Sequence, residues 1–265
     1  MGTLEIAIVQ DGQALAPVAA RRVTAIAREQ IARHDQFTIA LSGGSTPRAL
    51  YHLLAAPPYR EAMPWNRTHV FFGDERTVAP DDDQSNYRMA RESLLDHVPL
   101  PYGQIHRIEA EREPHEAAES YERVLRETFG LEVGQVPAFG LILLGLGPDG
   151  HTASLFPNTE ALEEQRRLVV ENVVPQLNTS RITLTIPVIT QAQHVMLLVS
   201  GVDKADAVWR ALQGPYALDQ TPAQLVREAL GSVCWLLDTA AATRLNAGSV
   251  TEWRRSVNRE PGDIQ

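Results

Sequence analysis

Asp149 and His151 stand two residues apart in FGLILLGLGPDGHTASLFP, residues 139–157, within a turn built on Gly145, Gly147 and Gly150. Imidazole has an unperturbed pKa near neutral pH, so a histidine presented by a glycine turn is a candidate general base. Asp149 is placed to orient that histidine or to bind a substrate hydroxyl. A second group lies upstream, Ser42-Gly43-Gly44-Ser45-Thr46-Pro47, where small residues leave backbone N–H groups free to meet an anion. Asp74 and Arg76 close an apolar run, and Arg181 and Lys204 supply two further cations. A base with an anion cradle and several cations fits proton transfer on a small anionic substrate.

These residues need a scaffold, and the hydrophobic pattern supplies one. Leu141 to Leu144 is apolar on both faces and stopped by glycine, which reads as a strand buried in a parallel sheet. Similar strands are predicted at Leu4 to Val9, Phe37 to Leu41, Thr68 to Phe72, Val195 to Val199 and Val233 to Leu237. Arg181 to Ile186 alternates, with Ile182, Leu184 and Ile186 on one face, so Arg181 reaches either a site or water. Helices are predicted over Pro17 to Ala32, from the Ser42–Pro47 turn through Leu54, over Asn86 to Leu95 and over Glu113 to Phe129. Another opens near Asp203-Lys204, where a lysine opposes the helix dipole, and Asp238 is placed to cap an alanine-rich helix after it. The expected fold class is α/β: a single doubly wound, mostly parallel sheet flanked by helices, over residues 1–253. Ligands of such sheets sit at the carboxyl ends of the strands, where the turns just named lie. The tail over residues 254–265 is polar and expected to be poorly ordered.

Several functions are disfavoured. Gly145, Gly147 and Gly150 spell G-x-G-x-x-G after a strand, but Asp149 would face the pyrophosphate of a dinucleotide, and Pro157 ends any helix after about two turns. The Ser42–Thr46 turn lacks the Gly-Lys-Ser/Thr of a nucleotide P-loop, and a bland tight turn is its other reading. Ser42, Ser45 and Ser154 lie in no G-x-S-x-G elbow. His115-Glu116 has Glu119 where a zinc motif has its second histidine, and no other pair of histidines has metal-ligand spacing, so no metal is expected. A formal net charge of -9 opposes nucleic-acid binding, and no window reaches the ~18 apolar residues of a membrane span. One cysteine, Cys234, excludes a disulfide framework and fits a reducing, cytoplasmic setting.

The motifs LSGGSTP, FFGDERTV with DQSNYRMARE, LGLGPDGHTASLFP, RITLTIPVI and GVDKADAV occur in that order from Leu41 to Val208. In these the chain resembles the family of 6-phosphogluconolactonases, which shares its fold with glucosamine-6-phosphate deaminases. The resemblance implies a modified Rossmann-like fold and cytoplasmic hydrolysis of 6-phosphoglucono-1,5-lactone, a small sugar-phosphate partner, with no metal or organic cofactor. It implies His151 as catalytic base, Gly43, Gly44, Ser45 and Thr46 as phosphate loop, and Arg76, Arg181 and Lys204 toward the substrate. Asp74 and Asp149 match family acids, and Ser42 opens the loop. Two readings stay beside it, the deaminase and a non-catalytic sugar-phosphate sensor. The resemblance also implies that deaminases carry a glutamate where this chain has Phe156. The segment before Phe37 is taken up by a strand and a helix, which leaves the sensor no room for a DNA-binding module there. A monomer is compatible with this reading.

Overall fold

In the computed structural model, which describes residues 3–246, the apolar runs become strands and the segments between them helices. The first half of the chain runs through β1 (Leu4–Val9), α1 (Gly12–His34), β2 (Phe37–Leu41), α2 (Ser45–Leu54), α3 (Tyr59–Ala62), β3 (Thr68–Phe72), β4 (Asp74–Arg76) and α4 (Asn86–Ser93). It continues through α5 (Pro114–Phe129), β5 (Leu141–Leu144), β6 (Val169–Val174), β7 (Thr179–Leu184), α6 (Ile186–Gln191), β8 (His194–Val199), α7 (Ala205–Leu212) and β9 (Ser232–Asp238). Six strands form a parallel sheet in the order β1-β9-β8-β5-β2-β3. Every residue of β2 and β5 is buried, as expected for central strands covered on both faces.

From β2 the chain moves outward to β3 on one side; from β5 it moves through β8 to β9 on the other. The β2–β5 pair is therefore the switch point, where the following loops diverge and leave a crevice at the carboxyl edge. Val23 and Ala27 of α1 are fully buried, and Ile26 and Ile31 pack partly against the same core, which explains their helical spacing. Cys234 packs against that core too, and burial pushes its thiol up to about 12.

A second, three-stranded antiparallel sheet, β4-β7-β6, was not separable in the sequence reading. Gly73 joins the two. Its N–H donates to the Leu41 carbonyl of the parallel sheet at 2.9 Å, and its own carbonyl accepts from Leu184 N–H of the antiparallel one at 2.9 Å. Three element boundaries also differ. α1 begins at Gly12, because the Asp11 carboxylate accepts from the Gln13 and Ala14 N–H groups, so Pro17 lies inside the helix rather than in its first turn. The alternating strand ends at Leu184, and Ile186 opens α6 with Pro187 in its first turn. After Asp238 the described residues form turns, not a helix, although its carboxylate does accept from Ala241 N–H at 2.7 Å. It also takes Ser200 Oγ and Gly201 N–H, which ties β9 to the loop leading to Lys204. The expected tail, residues 254–265, lies outside the described residues.

Strand alternation in β4 sends Asp74 and Arg76 to one face and Glu75 to the other. Glu75 is 2 % exposed and accepts from the N–H groups of Arg76, Asn86 and Tyr87 and from Ser85 Oγ, so it caps α4 from the neighbouring sheet. Burial pushes its carboxyl above the usual range against the pull of those N–H groups. Removing it leaves buried donors at a helix N-terminus without a partner. Glu75→Ala is expected to lower folding stability by about 2–3 kcal/mol, read from the denaturant midpoint followed by circular dichroism. A midpoint equal to that of the parent chain would contradict the capping role.

Candidate active site

The loops after β2, β5 and β8 meet at the carboxyl edge and, with β4 and β7, enclose a cleft of about 520 Å³. Ser42, Gly43, Gly44, Asp74, Arg76, Asp149, His151, Arg181 and Lys204 all line it. Ser45 and Thr46 do not; they form the first two positions of α2, so only their backbone is directed by the helix start. A cleft of similar volume, about 500 Å³, lies along β6, but its one arginine, Arg167, is already paired with Glu122 at 3.0 Å.

The glycine turn fixes the histidine. Asp149 Oδ1 lies 2.6 Å from His151 Nδ1 and accepts from the His151 backbone N–H at 3.1 Å. With Nδ1–H committed to the carboxylate, Nε2 is the basic atom; it has no hydrogen-bond partner among the described residues. Phe156 stacks on the imidazole, with ring centroids 4.1 Å apart. Burial pushes the Asp149 carboxyl up, but the hydrogen bond and charge of His151 outweigh it and hold it below the usual carboxylate range. Gly147 is required here for space, since a Cβ would lie 2.0 Å from His151 Nδ1 and 2.4 Å from Asp149 Oδ1. Gly150 adopts φ 96°, a conformation that glycine alone takes without strain.

The opposite wall is cationic. Arg76 and Arg181 are direct cross-strand partners in the β4–β7 register, and neither forms an ion pair with a carboxylate among the described residues. Burial lowers the pKa of Arg181, and the charge of Arg76 lowers it further. Both guanidinium groups rest on neutral acceptors instead: Arg76 Nη1 on the Gln84 carbonyl, and Arg181 Nη1 on Ser180 O and Thr179 Oγ1 at 3.3 Å. Lys204 Nζ lies 3.1 Å from Asp203. The N-terminus of α2 has no side-chain cap, and its N-cap residue Gly44 lines the cleft. Uncapped first-turn N–H groups and three cations are the kind of donors a dianion requires.

Asp74 is 7 % exposed and accepts from Ser154 Oγ at 2.7 Å and from Asn86 Nδ2 at 3.4 Å. Asn86 was not singled out in the sequence, because nothing in a lone Asn marks it, while Ser154 was weighed only as a nucleophile and Phe156 only as the residue that replaces a deaminase glutamate. Asn86 explains Gly43, where a Cβ would lie 1.8 Å from Asn86 Oδ1. Ser154 Oγ is taken by Asp74 and Ser42 Oγ by the Gly43 carbonyl, so neither serine is bonded to the imidazole. No helix follows the Gly145–Gly150 turn, which removes the helix N-terminus a dinucleotide pyrophosphate would need. Among the described residues no group of three or more His, Cys, Asp or Glu is placed to hold a metal, and no helix is long and apolar enough to cross a membrane.

Comparison with known proteins agrees with this geometry. The family described as Glucosamine-6-phosphate isomerases/6-phosphogluconolactonase matches residues 10–235. A 6-phosphogluconolactonase of Synechocystis sp. is 45% identical over 224 residues, 84% of this chain and 90% of that protein. The solved 6-phosphogluconolactonase of Trypanosoma cruzi superposes with a TM-score of 0.83 at 30% identity, covering 93% of this chain and 98% of the other. A monomeric glucosamine-6-phosphate deaminase shares the fold, with a TM-score of 0.75 at 22% identity over 90% of this chain and 99% of its own. With the match running from α1 into β9, across the whole antiparallel sheet and every loop of the cleft, the chain belongs to the glucosamine-6-phosphate isomerase/6-phosphogluconolactonase family.

Proposed function

We propose that this chain is a 6-phosphogluconolactonase, which hydrolyses 6-phosphoglucono-1,5-lactone to 6-phosphogluconate in the pentose phosphate pathway, with His151 as general base. The observation that carries the mechanism is the single cleft in which an imidazole with a free Nε2 faces Arg76, Arg181 and Lys204. Those cations and the α2 N-terminus hold the 6-phosphate, which sets the lactone carbonyl near the base. Nε2 takes a proton from water as its oxygen attacks C1; the tetrahedral intermediate collapses and expels the ring oxygen. The imidazolium, steadied by Asp149, returns the proton to that oxygen. One base serves both transfers, so no second acid is required.

The deaminase reading is opposed by Phe156. Ring opening and proton movement between C1 and C2 of an amino sugar need further acid–base groups, and an aromatic ring stacked on His151 transfers none. Both sheets contribute to one core, which supports a single domain. The lone, half-buried Cys234 fits a reducing cytoplasm.

Timed NMR of the 1,5-lactone tests the activity: release of 6-phosphogluconate well above the spontaneous rate is expected, with no ammonia from glucosamine 6-phosphate. Ammonia appearing at a rate comparable to lactone hydrolysis would reverse the choice between the two enzymes. His151→Ala is expected to fold normally and to lose about 10²–10⁴ in kcat, roughly 3–5 kcal/mol of barrier. Turnover close to that of the parent, after subtraction of uncatalysed hydrolysis, would remove His151 from the mechanism. Arg181→Ala and Lys204→Ala are each expected to cost about 1.5–3 kcal/mol in kcat/KM on the phosphorylated lactone and little on plain gluconolactone. Equal losses on both substrates would show that these cations do not serve the phosphate.

A further inference from the structure

The turn that presents Asp149 and His151 does not satisfy itself. Inside it, Gly150 N–H donates to the Gly147 carbonyl at 3.0 Å and Gly147 N–H to the His151 carbonyl at 2.9 Å. The Gly150 carbonyl is met by Ala223 N–H at 3.0 Å. That leaves the successive carbonyls of Pro148 and Asp149, and one side chain from another element takes both. Arg210 of α7 donates from Nη2 to Pro148 O at 2.9 Å and from Nη1 to Asp149 O at 3.1 Å. Nη1 also meets Thr221 Oγ1 at 3.3 Å. The guanidinium is aimed by Asp206, one helical turn back, whose Oδ2 accepts from Nε at 3.0 Å and which also pairs with Arg244. Arg210 does not line the cleft, so substrate does not reach it.

The direction of the imidazole depends on that backbone. Asp149 Oδ1 contacts both Nδ1 and the main-chain N–H of His151, so a rotation of the peptides on either side of Asp149 moves the carboxylate and the ring together. A planar guanidinium with a fixed fork of donors holds two carbonyls at once, whereas an ammonium is a point donor on a flexible stem. α7 opens directly after Lys204, its N-cap residue, so one helix carries both the cation at the cleft and the clamp on the turn. We propose that Arg210 is a positioning residue for the reaction, holding the Pro148–Asp149 backbone so that Asp149 keeps His151 Nε2 directed at the lactone carbonyl; this rests on the general-base reading of His151.

The test uses the full-length chain and its Arg210→Ala, Arg210→Lys, Asp206→Asn and His151→Ala variants, with steady-state kinetics on the lactone, thermal unfolding, and NMR of the histidine ring protons. Arg210→Ala is expected to lose about 10–100-fold in kcat per folded molecule, with KM within about threefold of the parent, because a displaced base and not a lost substrate contact is responsible. The Nδ1 proton resonance of the His151–Asp149 hydrogen bond, present in the parent and absent in His151→Ala, is expected to weaken or vanish. Arg210→Lys is expected to recover part of kcat, and Asp206→Asn to show a smaller loss in the same direction. Unchanged kcat, a rise in KM alone, or a fall in thermal stability with the Nδ1 resonance and kcat intact would each overturn the proposal. Should Arg210→Ala fail to fold, a parental kcat in both Arg210→Lys and Asp206→Asn overturns it equally. Full activity in His151→Ala sinks the base reading itself; an inactive His151→Ala beside a normal Arg210→Ala sinks only the clamp.

Discussion

Arg76 and Arg181, direct partners in the β4–β7 register, set two like charges on one wall of the cleft, and the rest of the cleft is organised around that constraint. Like charges in this position destabilise an antiparallel pair by roughly 0.2–1 kcal/mol, and partial burial of Arg181 adds a desolvation cost. Asp74 and Glu75 offset some of it through their charge, but the oxygens of both are committed elsewhere, to Ser154 and Asn86 and to the α4 N-terminus. The cations therefore keep unspent donors in a protein whose net charge is -9. Local surplus against a global deficit lets an acidic chain keep donors for an anion in one place without attracting polyanions generally.

The parallel sheet was legible because its strands are uniformly apolar and its breaks are glycines. Leu141–Leu144 followed by Gly145 admits few other readings. β4 was not legible, since three residues, Asp74 to Arg76, all charged, carry neither periodicity nor β-branched side chains. Its existence follows from pairing with β7, a long-range contact that no window of sequence contains. The same limit hid Arg210 and Glu75. One touches a turn 61 residues away and the other caps a helix in the next element, and both look in sequence like ordinary surface charges. His151, Asp149 and the Ser42–Thr46 turn were visible because their chemistry is local: the glycines that shape each turn stand beside the residues it presents. Ser45 and Thr46 are the instructive exceptions, since a helix start offers its backbone and not its side chains to a ligand.

The two halves of the cleft belong to different sheets. His151 and its glycine turn leave the parallel sheet after β5, whereas Arg76 and Arg181 lie on the antiparallel one. What keeps them in register is short: Gly73, hydrogen-bonded to Leu41 on one side and to Leu184 on the other. Asp238 does a related task on the far flank by binding Gly201 ahead of Lys204.

Gly73 also sets where the chain tolerates changes in length. Adding or deleting one residue between Phe72 and Asp74 while β4 stays paired would invert the facing of the next three side chains. Glu75 would then enter the cleft, and Asp74 and Arg76 would turn toward α4. Such an indel removes the Arg76 cation from that wall, leaves Glu75 as the anion in place of Asp74, and uncaps a helix in a single step. The segment 77–85 is different. It runs between β4 and α4 with no strand pairing of its own to shift, and where Gln84 and Ser85 keep their bonds to Arg76 and Glu75, lengthening it adds little beyond the slow logarithmic growth of loop-closure entropy. Length variation among relatives is therefore expected to collect after Arg76 and to spare the single residue before Asp74.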